Sequence, residues 1–211
     1  MAEILRTQSL TKLFGGVAAV LSVDITVYKG TTHAVIGPNG AGKSTLFNLI
    51  TSYLAPTGGG VFFKGKEITH QPPHKICRMG IARSFQLTNI YPKLTSFESV
   101  QMSLLSLKGL AGKVFKSSSL LLRKETENIL EMVGLADKKD SLADVLSHGD
   151  KKRLELGITL GNKPVLLLMD EPTAGMGRDE TWAIVDLIQR LGKRKGLRYY
   201  SLSMTWMWFL K

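Results

Sequence analysis

The chain has 211 residues, 44% of them hydrophobic, a net charge of +11 and one cysteine. That is enough length for one domain with a full core. The lone Cys77 excludes a disulfide framework and suits a reducing cytosol, Met1–Arg6 has no apolar signal core, and no apolar run exceeds Val165–Met169, far too short to cross a bilayer. The positive charge admits anionic partners. Lys and Arg are spread along the chain, however, with short clusters only at Lys151–Arg153 and Lys193–Lys195 and no interleaved aromatics to stack bases. A solvated basic face is the first reading, acidic lipid headgroups the second and nucleic acid the third.

In chain order, Ile4–Leu10 and Val23–Val27 read as strands, and Thr32–Ile36 as a buried strand entering a glycine-rich loop. Thr45–Ile50 opens a helix. The turn Pro56–Gly60 leads into a strand at Val61–Gly65, and His70, Pro72, Pro73 and His74 mark a loop. The two histidines have no acidic or thiol partner at metal-ligand spacing, so they read as loop residues. Helical periodicity runs over Phe97–Leu107 and Leu121–Val133, joined by a Ser/Lys-rich link, and again over Lys151–Gly161. Val165–Met169, bounded by Pro164 and the pair Asp170–Glu171, describes a buried parallel strand ending at a site edge.

The segment Gly37-Pro38-Asn39-Gly40-Ala41-Gly42-Lys43-Ser44-Thr45 fits G-x-x-x-x-G-K-[ST] between a strand and a helix. Backbone N–H groups of such a loop, with the helix N-terminus behind them, cradle phosphate. Glycines let the backbone approach, since a Cβ would hold it away. Lys43 is placed to reach the β- and γ-phosphates and the Ser44 hydroxyl to hold Mg²⁺. A nucleoside triphosphate and Mg²⁺ are therefore the expected ligands. Asp170 is placed to hold Mg²⁺ through water, and Glu171 to polarise the water that attacks the γ-phosphate.

Leu146-Ser147-His148-Gly149-Asp150, placed before a helix and shortly ahead of the Asp-Glu strand, resembles the LSGGQ signature of ATP-binding-cassette ATPases. The resemblance implies an α/β fold: a P-loop NTPase (RecA-like) core with an antiparallel β subdomain and a helical subdomain. It implies one nucleotide-binding domain over 1–211, with the core at 1–86 and 154–196 and the helical subdomain at about 87–153. Ser147 and Gly149 would bind the phosphate of ATP held by a second subunit, in a homo- or heterodimer. Gln86 is similar to the Q-loop glutamine, which touches Mg²⁺ and the attacking water. Phe14, 29 residues before Lys43, stands where the family stacks an aromatic on adenine; a core or turn position is the other reading. Ala174–Gly177 occupies the D-loop without the usual Asp, and Asp150 replaces the usual Gln.

Phe14–Gly16, Ala82–Gln86, Leu146–Asp150 and Asp170–Met176 most resemble the ATPases of branched-chain amino-acid importers, over about residues 3–196. Urea-type importers and lipopolysaccharide exporters carry similar phrases. The implied protein is an ATPase peripheral on the cytoplasmic face of the membrane, bound to transmembrane permease subunits. Tyr91, Pro92 and Leu94 either line that contact or pack in the core. A single phosphate loop and no internal repeat disfavour the twin-cassette proteins of translation and DNA repair, so no nucleic acid is expected.

The tail departs from the family, which needs a strand and then Glu-His-Asp about 33 residues after Glu171, near Met204; no histidine follows His148. Met204–Trp208 must be encoded ATG ACN TGG ATG TGG. Read from the third base, this gives Asp-x-Asp-Val, and allowed codons upstream permit Thr-Val-Leu-Phe-Thr-Glu-His before it. Residues 197–211 are thus expected to be an out-of-frame reading, with an aromatic-rich docking tail as the alternative. On that expectation a core strand is altered or absent and Leu187 and Leu191 are uncovered, at about 1.5–3 kcal/mol for each large side chain. Against a net stability of about 5–15 kcal/mol, weak ATP binding and poor turnover would follow, making a non-catalytic remnant the second hypothesis.

Overall fold

Strand β1, Glu3–Phe14, is the longest among the described residues and the axis of an antiparallel sheet ordered β2 (Val17–Val23), β1, β5 (Gly58–Phe63) and β6 (Lys66–Glu67), with β3 (Thr26–Tyr28) also paired to β1. The computed structural model describes residues 1–31, 33–84, 90–109, 122–170, 175–193 and 201–204, with backbone alone at 192–193 and 201–204. The chain divides into two units: Met1–Arg83 with Val165–Glu171 and Arg198–Lys211, and Ser84–Pro164 with Pro172–Leu197.

In the first unit, β2 (Val17–Val23) returns along β1 through the turn Gly15-Gly16, pairing Phe14 with Val17. The strand expected over Val23–Val27 is in fact two, because β3 covers Thr26–Tyr28. The break has a local cause. Thr7 Oγ1 donates to Val23 O at 2.8 Å and accepts from Ile25 N at 2.9 Å, filling the ladder positions of two residues. Gly58–Gly60, expected within a turn, instead begin strand β5 (Gly58–Phe63). Gly59 lies there at φ +76, where a Cβ would come within 2.2 Å of Ser9 O, so no side chain fits. Lys64 and Gly65, both at positive φ, make the two-residue turn into β6 (Lys66–Glu67) rather than extending the strand.

The second sheet has the order β4-β9-β8-β7, from His33–Ala34, Ser201–Met204, Leu166–Asp170 and Ile81–Ser84. Strand β4 is shorter than the expected Thr32–Ile36, and Ile36, two residues beyond its end, is 75% exposed. Strand β8 is wholly buried, matching its continuous apolar run. Helix α1 (Lys43–Ile50) packs Phe47, Leu49 and Ile50 into the unit's core with Leu5, Leu10, Phe63 and Leu168. His74, expected in a loop, lies in helix α2 (Pro73–Met79), which Pro73 opens at its first position.

The tail also departs from expectation. Its residues Ser201–Met204 form strand β9, parallel to both β4 and β8, with Met204 opposite Asp170. The core strand is therefore present. Leu187 and Leu191 are buried rather than uncovered, on the apolar face of helix α6 (Arg178–Lys193). Residues 194–200 and 205–211 lie outside the described residues.

The second unit holds helices α3 (Ser96–Leu107), α4 (Arg123–Val133), α5 (His148–Gly161) and α6. Thr95 and Glu98 cap α3 reciprocally, each side chain binding the other's backbone N–H. Gly157 and Gly161 let α5 approach α3 closely: a Cβ on Gly157 would touch Val100 at 3.3 Å, and one on Gly161 would overlap Ser103 Oγ. The Ser/Lys-rich link at 110–121 lies outside the described residues. Both units bear out the α/β fold with an antiparallel sheet and a set of helices.

Candidate functional site

Strand β4 delivers the chain into the loop 37–42, and α1 begins at Lys43. Gly40 and Gly42 both have φ +82. Gly42 is the N-cap of α1, and a Cβ there would lie 1.9 Å from Ala19 O on β2. Glycine is thus required by a backbone crossing as well as by the loop's curvature. No side chain caps α1 and no acidic residue occupies its first turn, so none of the helix's own carboxylates meets its positive end. Lys43 folds back over the loop, its Nζ donating to Gly37 O at 2.6 Å and Pro38 O at 2.7 Å. Its ammonium is therefore held on the loop. Ser44 and Thr45 follow on α1, half-buried.

Asp170 closes β8 and is 1% exposed. Its Oδ2 accepts from Arg83 Nη2 at 2.8 Å, while its buried Oδ1 finds no hydrogen-bond partner among the described residues. Arg83, near the end of β7, also donates from Nη1 to Asn48 Oδ1 on α1 and lies over the Phe47 ring at 5.7 Å. One guanidinium thus joins the helix behind the loop to the carboxylate strand. An unpaired buried carboxylate oxygen fits a divalent cation or its water, since it otherwise carries the full cost of lost hydration. The sequence pattern assigns Arg83 no role; a basic residue directly after the apolar pair Ile81-Ala82 is the available signal. Gln86 and Glu171 lie outside the described residues.

Phe14 ends β1 at the hairpin, 49% exposed, with Lys12 Nζ 5.3 Å from its ring centre. Its exposure excludes the core reading. Tyr91 and Pro92 are exposed as well, and Leu94 is half-buried.

In the second unit, Ser147 is the N-cap of α5, its Oγ accepting from Asp150 N at 3.2 Å. Gly149 is buried, and a Cβ on it would sit 2.9 Å from Glu180 Oε1. Gly175 is at φ +76, and Gly177 N donates to Glu180 Oε2 at 3.3 Å; Ala174 lies outside the described residues. Asp150 Oδ2 accepts from Lys138 Nζ at 2.6 Å and Ser147 Oγ at 2.9 Å. Burial pushes the Asp150 carboxyl up, but these bonds and the charges of Lys138 and Arg153 outweigh it and hold it below its ordinary value. The stabilising contribution is then complete above the unfolded carboxylate value of about 3.9 and is lost as pH falls through the lower folded value. Asp150→Asn should accordingly flatten the acid limb of stability below about pH 4, read as urea midpoints across pH 2–6. An unchanged acid slope would refute the pairing.

Among the described residues, no helix is long and apolar enough to cross a membrane. The family profile described as "ABC transporter" matches residues 20–174, which include the loop, the capping serine Ser147 and Asp170. The chain belongs to the ABC transporter family. The cassette is 41% identical over 181 residues to "Probable branched-chain amino acid transport ATP-binding protein LivG" of Archaeoglobus fulgidus, covering 82% of this chain and 69% of that one. It is 37% identical over 197 residues to "High-affinity branched-chain amino acid transport ATP-binding protein BraF" of Pseudomonas aeruginosa, covering 89% and 76%. A solved ATP-binding cassette in its ADP conformation, MJ1267, superposes with a TM-score of 0.80 at 32% identity, covering 98% of this chain and 83% of that one. The cassette is a nucleotide-binding transport ATPase by family.

Proposed function

We propose that the cassette energises a membrane importer for branched-chain or related amino acids, as the names of its relatives suggest. It would work peripherally on the cytoplasmic face with permease subunits and a second cassette. The observation that carries the reading is the buried Asp170 carboxylate, tied by Arg83 to the phosphate-loop helix with one oxygen left unpaired.

Ser44, Asp170 and Gln86 would hold Mg²⁺, which when bound neutralises charge shared by the β- and γ-phosphates. The loop 37–45 would cradle the triphosphate with its N–H groups, Lys43 leaving the carbonyls of Gly37 and Pro38 for phosphate oxygens. Phe14 would stack on adenine, exposed as it is at the hairpin end. Gln86 would orient water and Glu171 accept its proton as the oxygen bonds to the γ-phosphorus and the bond to the ADP oxygen breaks. Ser147 and Gly149 would contact the γ-phosphate of the nucleotide on the second cassette. Exposed Tyr91 and Pro92 would face the permease. Residues 197–211 we hold to be an out-of-frame reading that still supplies β9; resequencing the gene from codon 185 tests this.

ATP titrations with and without Mg²⁺ test the site. The metal should tighten binding by about tenfold or more, a change of roughly 1.4 kcal/mol, and Asp170→Asn should abolish the gain. Equal affinity in Mg²⁺ and in EDTA would remove Asp170 from the site. Labelled leucine uptake with the cognate permease, compared with urea, tests the substrate class.

A further inference from the structure

Asp150 is a carboxylate beside the one hydroxyl of the signature, which on the reading above must donate to a phosphate. That is an electrostatic difficulty, because an unpaired carboxylate would repel the phosphate and compete for the hydroxyl proton. In the structure the competition is visible: Ser147 Oγ donates to Asp150 Oδ2 at 2.9 Å. The same oxygen accepts from Lys138 Nζ at 2.6 Å, the shorter contact. Lys138 comes from the 3₁₀ turn Ala136–Lys138, ahead of the signature in the same unit. Its side chain is 43% exposed and that of Asp150 is 16% exposed. The neighbouring cations bond elsewhere, although the charge of Arg153 also acts on Asp150. Lys139 reaches Glu127 at 3.5 Å, and Arg153 Nη1 donates to Val133 O at 3.4 Å.

We propose that Lys138 is a positioning residue for the signature: by holding Asp150 Oδ2 it neutralises the carboxylate and lets the Ser147 hydroxyl turn toward the γ-phosphate of a nucleotide on a second copy of the chain. It acts through Asp150 and touches no nucleotide. The inference rests on the two-cassette reading above and adds to it the residue that makes an acidic signature usable. With Lys138 present, the Lys138–Asp150 pair is neutral and the hydroxyl has two acceptors of comparable strength. Without it, the hydroxyl's best acceptor is a carboxylate offset only by the more distant Arg153 charge, and the approaching phosphate meets a like charge that no cation binds directly.

The test uses the full chain, Mg²⁺ and a non-hydrolysable ATP analogue, with self-association followed by sedimentation velocity and binding by a fluorescent analogue. The unaltered chain should dimerise on adding the analogue. Lys138→Met should weaken that dimerisation by about tenfold or more, the scale of one unscreened like charge at close range, while each monomer binds the analogue as before. Lys138→Arg should retain dimerisation. Asp150→Gln should dimerise at least as tightly as the unaltered chain, and adding Lys138→Met to it should change nothing further. Dimerisation of Lys138→Met at the unaltered level overturns the inference. So does an equal loss in the Asp150→Gln background, which would mark Lys138 as a merely structural contact. Analogue binding without any dimer in the unaltered chain would overturn the two-cassette reading, and this inference with it.

Discussion

Replacing Arg83 with Met should destabilise the cassette by about 3–5 kcal/mol, the usual cost of leaving one partner of a buried ion pair uncompensated. The side chains of Arg83 and Asp170 are 9% and 0% exposed, so water cannot take over the lost contact. The guanidinium also holds Asn48 on α1 and lies over Phe47, so three structural elements lose a shared tie. Against a typical net stability of about 5–15 kcal/mol, the variant should approach unfolding at physiological temperature. Urea unfolding at pH 7 measures this. Adding Asp170→Asn should recover most of the loss, because the cost arises from the stranded charge rather than from the missing arginine. A loss under about 1 kcal/mol, or no recovery in the double variant, would show that the pair does not hold these elements together.

Lys43→Ala should have the opposite profile, with function lost and fold kept. Among the described residues its ammonium donates only to carbonyls of its own loop, so removing it costs about 1–2 kcal/mol of stability at most. Toward a triphosphate the same group would make charge-assisted contacts, each worth about 1.5–3 kcal/mol. ATP affinity should therefore fall on the order of a hundredfold, which is about 2.7 kcal/mol. A fluorescent ATP analogue reports the affinity and circular dichroism the unfolding midpoint. Affinity within about threefold of the unaltered chain would remove Lys43 from phosphate binding.

These two residues differ in how readable they were. Lys43 sits in a contiguous motif whose neighbours explain its role, and periodicity likewise located α3, α4 and α5 to within a few residues. Arg83 pairs with a residue 87 positions away, a relation that no local pattern encodes. Lys138 meets Asp150 across a turn that carries no motif. The break between β2 and β3 escaped notice for a similar reason: a single hydroxyl on Thr7, 16 residues upstream of Val23, takes the place of ladder bonds. Gly58–Gly60 read as a turn because composition suggested one, whereas pairing with β1 drew them into a strand. His74 followed its proline neighbours into a loop assignment, although proline at a first helical position starts a helix as readily as it ends one.

The sheet order β4-β9-β8-β7 has a consequence for how the protein comes into being. The strand that launches the phosphate loop and the strand that carries Asp170 are not neighbours; each pairs with Ser201–Met204 between them. Chain entropy opposes such distant pairings until late in folding, when the intervening segments are already compact. During synthesis, the strand that launches the glycine-rich loop and the strand that carries Asp170 are both made before the strand that pairs with each of them. On this topology a nascent chain lacking β9 would leave the β9-facing edges of β4 and β8 unpaired.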